Sequence, residues 1–240
     1  MLAGADAKTS QVSTGDYMEH FEKFLSQGLD VLHATLSSGI SGTYNSAVAA
    51  KNLLAEKYPE RKIVIIDSLA ASAGYGLFVD RLADLRDEGM GIDELAAWGL
   101  EHRLEVQHWF FSTDLTFFIR GGRISKAAGI MGGLLKICPM MDVEPDGSLA
   151  VKEKIRTKQR AIKRDLQLME EFAQDGLDYS GKVFISNSEC ADDARAVASE
   201  IEATFQKIDG PVRISDIGAT IGCHTGPGTV ALFFWGKPRA

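Results

Sequence analysis

The chain has 240 residues, 45% hydrophobic and 25% charged, an ordinary balance for a globular protein of one large or two small domains. Its net charge of −7 argues against broad nucleic-acid binding, which wants a basic surface. Cys138, Cys190 and Cys223 are odd in number and far apart, so neither a disulfide framework nor a Cys-x-x-Cys metal pair follows, no metal is expected, and a reducing cytoplasm is the expected compartment.

The opening Met1-Leu2-Ala3-Gly4-Ala5-Asp6 lacks the basic region and apolar core of a signal peptide, and no later apolar run approaches a membrane span. Thr9 to Thr14 is rich in hydroxyls. Residues 16–27 carry Tyr17, Phe21, Phe24 and Leu25 at helical spacing, closed by Gly28. An apolar run over 29–36 reads as a buried strand, and 47–58 as a helix. Ile63-Val64-Ile65-Ile66-Asp67 is a β-branched run that suits a parallel strand with Asp67 at its carboxyl end. Helices are expected over 68–88 and 92–104. This alternation implies a parallel α/β sheet, whose ligands bind beyond the carboxyl ends of the strands.

The pattern then changes. Residues 106–112 form an aromatic-rich strand, and 117–124 join an apolar segment to the paired glycines Gly121 and Gly122. A glycine-rich helix is expected over 126–135. Runs at 137–143 and 149–155 flank Glu144-Pro145-Asp146-Gly147-Ser148, a hairpin signal. Helix 158–174, strand 183–186, helix 192–207 and strand 212–217 follow. Gly222 to Gly228 reads as a tight turn before a last strand, 229–235. The break near 104–106 suggests two domains, residues 1–104 and 105–240.

Between strand 29–36 and helix 47–58 lies Ser37-Ser38-Gly39-Ile40-Ser41-Gly42-Thr43, four hydroxyls and two glycines at a helix start. The first N–H groups of a helix lack internal partners and carry partial positive charge, so such a turn can receive an anion, with Ser38 and Ser41 as added donors. The same residues also suit an ordinary capped helix. His224, set among Gly222, Gly226, Pro227 and Gly228 and beside Thr225, is placed either to donate an N–H to a ligand or to face solvent. Lys152 to Arg164 holds seven basic residues. It reads as a solvated face or as a docking patch for an acidic partner or phosphate, which Arg123 could join.

Thr9-Ser10-Gln11, Ser37 to Tyr44, Asp67-Ser68, Gly121-Gly122-Arg123-Ile124, Arg156-Thr157 and His224-Thr225-Gly226-Pro227-Gly228, in this order, resemble the DegV family of bacterial fatty-acid-binding proteins. The resemblance runs from Lys8 to the C-terminus. It implies a two-domain α/β fold with one long-chain fatty acid, such as palmitate, buried between the domains. It assigns the carboxylate to Thr9, Ser41 and His224, with Ser38 and Thr225 beside them. It assigns Arg123 and Arg156 to the phosphorylated head and to docking of a separate ATP-dependent fatty acid kinase, whose acyl phosphate feeds phospholipid synthesis. It implies a carrier rather than an enzyme, no cofactor, and transient membrane contact at most. Family members begin with a strand, an Asp-Ser motif and a helix before Thr-Ser-Gln. This sequence starts almost at that motif, so a first domain without its first strand is expected. Val12 stands where the family usually has proline.

A carboxylate taken out of water must be hydrogen-bonded or it protonates. Two hydroxyls, an imidazole and a helix N-terminus can serve without a full positive charge. The competing expectation is a serine-dependent esterase or thioesterase using Ser41 and His224. Against it, Gly39-x-Ser41-x-Thr43 lacks the second glycine of a nucleophile elbow, and no acid partner is evident.

Overall fold

A computed structural model describes residues 7–125 and 137–240; the glycine-rich helix expected over 126–135 lies outside them. Helix α1 (Thr14–Leu25) is entered through a capping box, in which Ser13 and Asp16 each satisfy the other's backbone N–H. Its Tyr17, Phe21 and Leu25, four residues apart, form one buried stripe. Gly28 then takes the left-handed turn, φ +79°, that releases the chain. Strand β1 (Val31–Thr35), helix α2 (Thr43–Lys57) and strand β2 (Ile63–Asp67) make a parallel pair, Val31 opposite Ile63 and Thr35 opposite Asp67. Helices α3 (Ser72–Asp87) and α4 (Ile92–His102) follow.

Strand β3 (Val106–Ser112) is buried along its whole length. After a short helix α5 (Thr116–Arg120) come the hairpin β4 (Cys138–Val143) and β5 (Leu149–Ile155), helix α6 (Lys158–Phe172), strand β6 (Phe184–Ser188), helix α7 (Ala191–Thr204), strand β7 (Arg213–Asp216), helix α8 (Ala219–Thr225) and strand β8 (Thr229–Trp235). These strands form a six-stranded mixed sheet in the order β5-β4-β3-β8-β6-β7. Only β6 and β7 pair in parallel within it. One face packs against α6 and α7 through Phe111, Met140, Leu168, Ile185 and Ile201. The other packs against α3 and α4 through Phe78, Leu82, Leu95, Phe110 and Phe233.

Three differences from the sequence reading bear on function. Helix α2 begins at Thr43, four residues earlier than the expected start, because Ser41 Oγ accepts the Thr43 N–H and Thr43 and Ser46 point inward. Helix α3 begins at Ser72 rather than 68. Asp67 Oδ1 takes the Leu69 N–H and Ser68 Oγ takes the Ala70 N–H, and these bonds hold 68–71 out of helical geometry. Residues 219–225 form helix α8, so His224 sits on its last turn; the tight turn starts only at Gly226, φ +66°.

Candidate functional site

Four segments enclose a cavity of about 540 Å³, within the range of small-molecule sites. They are the Thr9–Val12 stretch, the serine turn at 37–42 with the start of α2, the α5 end with Arg123, and helix α8. Much of the remaining wall is apolar: Ala34, Phe110, Val143, Leu149, Ala231 and Phe233.

The polar side chains meet through short contacts. Thr9 Oγ1 lies 2.8 Å from His224 Nε2. With the proton on Nε2 the imidazole donates to Thr9, whose own hydroxyl hydrogen is then free for a ligand. Among the described residues, His224 Nδ1 is buried without a hydrogen-bond partner, as is Thr225 Oγ1. The ring lies against Gly121, where a Cβ would come within 2.2 Å of Nδ1. Ser41 Oγ donates to Thr43 Oγ1 at 2.9 Å and accepts from Thr43 N at 3.2 Å. Arg123 spans two segments, donating from Nη1 to Gly121 O at 2.6 Å and from Nη2 to Ile40 O at 3.0 Å. Burial, and then the Arg123 charge, push the His224 pKa down from its ordinary value, which favours a neutral ring.

Of the residues singled out in the sequence, Thr9, Ser41, Arg123, His224 and Thr225 all line the cavity. Arg123 thus brings a full positive charge to a place where neutral donors alone were expected. Ser38 is exposed and outside the lining, because its N–H is fixed on Asp67 Oδ1 at 3.1 Å and the turn carries its side chain outward. Arg156 is also exposed and outside the lining, at the end of strand β5. Around it much of the basic run is paired, Lys152 with Asp142 and Glu144, Lys158 with Asp193, and Arg164 with Glu153.

Gln11 was missed as a positioning residue. Its Nε2 donates to Ser46 Oγ at 2.9 Å, and its side chain fills the space where a Cβ on Gly42 would lie 2.1 Å from Oε1. That contact lays the Thr9 segment across the start of α2. The hint in the sequence is its place in the Thr9-Ser10-Gln11 motif, two residues after Thr9. His33 was also passed over. It lines the cavity, is packed between Tyr17 and Phe21, and burial depresses its pKa to about 4.

A serine hydrolase needs its serine paired to a histidine that is itself oriented by an acid. Here Ser41 is engaged with Thr43, His224 Nε2 with Thr9, and His224 Nδ1 with none of the described residues. The arrangement instead offers hydroxyl, imidazole and guanidinium donors on one cavity whose remaining wall is largely apolar.

A family model described as "Uncharacterised protein, DegV family" matches residues 2–237. A DegV domain-containing protein of Clostridium perfringens is 37% identical over 98% of this chain and 80% of its own length. Among solved structures, a fatty-acid-binding DegV family protein from Thermus thermophilus superposes with a TM-score of 0.83 at 27% identity, over 96% of this chain and 79% of that one. The Streptococcus pneumoniae Fatty Acid Kinase (Fak) B3 protein, loaded with linoleic acid, superposes with a TM-score of 0.86 at 23% identity, over 98% and 80%. Among the described residues no helix is long and apolar enough to cross a membrane.

Proposed function

The chain belongs to the DegV family, and from that premise we propose that it binds one long-chain fatty acid, such as palmitate, in the 540 Å³ cavity and presents the carboxylate to an ATP-dependent fatty acid kinase. The cavity lies between the two domains we assign to residues 1–104 and 105–240. The observation that carries this reading is the convergence of Thr9, Ser41, Arg123 and His224 on one cavity whose remaining wall is largely apolar.

The two ends of the ligand have different tasks. Burying a methylene is worth about 0.8 kcal/mol, so a tail of ~15 gives roughly 12 kcal/mol before ordering costs. Each hydrogen bond to the charged head adds about 1.5–3 kcal/mol. The tail sets affinity, and the head sets orientation. In this reading Thr9 donates its hydroxyl hydrogen to the carboxylate, His224 orients Thr9 through Nε2, Ser41 donates once its hydrogen turns from Thr43 Oγ1, Thr225 adds a further hydroxyl, and Arg123 supplies the compensating charge. The exposed Arg156 belongs to the kinase-facing surface, and the protein supplies no catalytic group of its own.

Extraction of the purified protein followed by mass spectrometry is expected to release a free long-chain fatty acid, and the delipidated protein is expected to bind palmitate. No extracted lipid together with no palmitate binding refutes the proposal. Arg156→Ala is expected to slow acyl-phosphate formation by an added fatty acid kinase and to leave palmitate affinity unchanged. A loss of affinity would move Arg156 out of the docking role.

A further inference from the structure

The serine turn that carries Ser41 is held by two struts. In the first, Asp67 Oδ1, at the carboxyl end of β2, accepts both the Ser38 N–H at 3.1 Å and the Leu69 N–H at 3.2 Å. In the second, Ser37 Oγ donates to Gly147 O, in the β4–β5 turn, at 2.8 Å. Gly39 is pressed on that same turn so closely that a Cβ would stand 2.3 Å from the Gly147 carbonyl carbon. The first strut belongs to the two-stranded sheet and the second to the six-stranded sheet, so the turn's position depends on how the two are fixed together.

Both struts end on Arg239. Its Nη2 donates to Leu69 O at 2.8 Å and to Arg103 O at 3.3 Å. Its Nη1 donates to Val143 O at 2.9 Å and to Glu144 O at 3.3 Å, where β4 enters the turn. Arg103 in turn donates to Asp67 O at 3.0 Å, and Arg239 N donates to Leu104 O at 2.9 Å. The side chain is buried, and its Nε has no partner among the described residues. An arginine with no structural task can keep its charge in water. Taking the charge out of water is costly unless its hydrogen bonds achieve something. Only a planar fork can reach carbonyls of three separate segments at once.

We propose that Arg239 is a positioning residue for the head-group site: it locks the Leu69 loop to the β4–β5 hairpin and thereby sets the place of Ser41 and the first turn of α2. The proposal rests on the fatty-acid reading. It predicts that losing the fork harms recognition of the carboxylate and spares recognition of the tail. In the full chain, Arg239→Gln is expected to raise the Kd for palmitate about tenfold, the equivalent of about 1.4 kcal/mol. The Kd for hexadecanol, which has the same tail and no carboxylate, is expected to change less than about twofold, well under that energy. Arg239→Lys keeps the charge without the fork and is expected to restore only part of the loss; it carries the same test if Arg239→Gln does not fold. Combined with Ser37→Ala, which cuts the second strut, the effects on palmitate should sum to less than the two separate losses. Equal losses for acid and alcohol, an unchanged palmitate Kd, or full additivity overturns the proposal. Amide exchange at residues 38–43 in the ligand-free protein separates this failure from that of the fatty-acid reading. If the wild type binds no palmitate, faster exchange in Arg239→Gln still supports the positioning role, and unchanged exchange overturns it.

Discussion

Gly121→Ala tests the head-group arrangement without touching any donor. At Gly121 φ is −76° and ψ −5°, ordinary geometry for alanine, so the backbone itself tolerates the change. The added methyl, however, would sit 2.2 Å from His224 Nδ1 and 3.2 Å from Cε1 and Cγ. Restoring ordinary contact at about 3.4 Å moves the ring by about 1.2 Å (3.4 minus 2.2). The methyl would lie in line with Nδ1, equally far from Cγ and Cε1, so the shift drives the opposite, Nε2 edge of the ring against Thr9, 2.8 Å away; the ring must swing aside or the Thr9 segment must yield, and either one breaks the alignment of that hydrogen bond. The ring is neutral, so the lost imidazole–hydroxyl hydrogen bond is worth about 1 kcal/mol, or roughly fivefold in Kd. The buried tail still holds the ligand. Calorimetric titration with palmitate, alongside a melting curve, is the assay. The reasoning is refuted if Kd stays within about twofold of the wild type, or if binding disappears while the melting temperature holds.

Ser41→Ala and Thr9→Ala are each expected to weaken palmitate by about 1–3 kcal/mol without abolishing binding; fatty-acid titration checks this, and complete loss or no change in either counts against the assignment. Burial holds the His33 pKa at about 4, below its usual 6.5. His33 therefore costs nothing above pH 6.5, and it withdraws stability as the pH falls from 6.5 through 4, where the unfolded chain binds a proton that the folded chain refuses. His33→Phe should flatten that acid limb in urea unfolding curves at pH 7 and 4.5, and an unchanged difference between the two curves contradicts the attribution. Asp165 on α6 is fully buried, neither carboxyl oxygen has a partner among the described residues, and burial pushes its pKa well above the usual value. Its stability contribution is present below the unfolded pKa and lost as the pH rises toward the folded one, so Asp165→Asn should raise the melting temperature most at alkaline pH. A lower melting temperature at pH 9 would show that the carboxylate has a partner in solution.

The strands were the most legible part of the fold. The runs 63–67, 106–112, 149–155 and 229–235 coincide with β2, β3, β5 and β8, because apolar-rich segments, or in β5 an alternating one beside a hairpin turn, bounded by turn residues have few other places to go. Helix starts were harder to place. Thr43 to Ser46 and Ala219 to Thr225 are rich in hydroxyls and glycine, which read locally as turn. Their helical state depends on contacts from elsewhere, Gln11 against Gly42 and Ser46, and Phe117 against Gly226. The cavity-lining set was legible for Thr9, Ser41, Arg123 and His224 through their motifs, whereas Ser38 was not separable from Ser41 by residue type. Arg239 carried no signal at all. The four carbonyls that receive it come from residues 69, 103, 143 and 144, far from it in sequence.

That difference follows from how such a site must be built. A ligand's polar end can be met by few donors, and those donors are chemically conspicuous in a sequence. Their rigidity comes from elsewhere, and backbone carbonyls and glycine contacts leave no pattern in residue type. Gln11 holds the Thr9 segment, Asp67 and Gly147 hold the serine turn, and Gly121 backs the imidazole. Each support fixes its donor before a ligand arrives, so ordering the head-group site costs little at the moment of binding. On the proposed function this matters more for orientation than for affinity, since the tail already supplies most of the energy. A loosened support would leave a carrier that still takes up lipid and offers the carboxylate in many poses. Acyl-phosphate formation should therefore respond to changes at Gly121 or Arg239 more steeply than lipid uptake does.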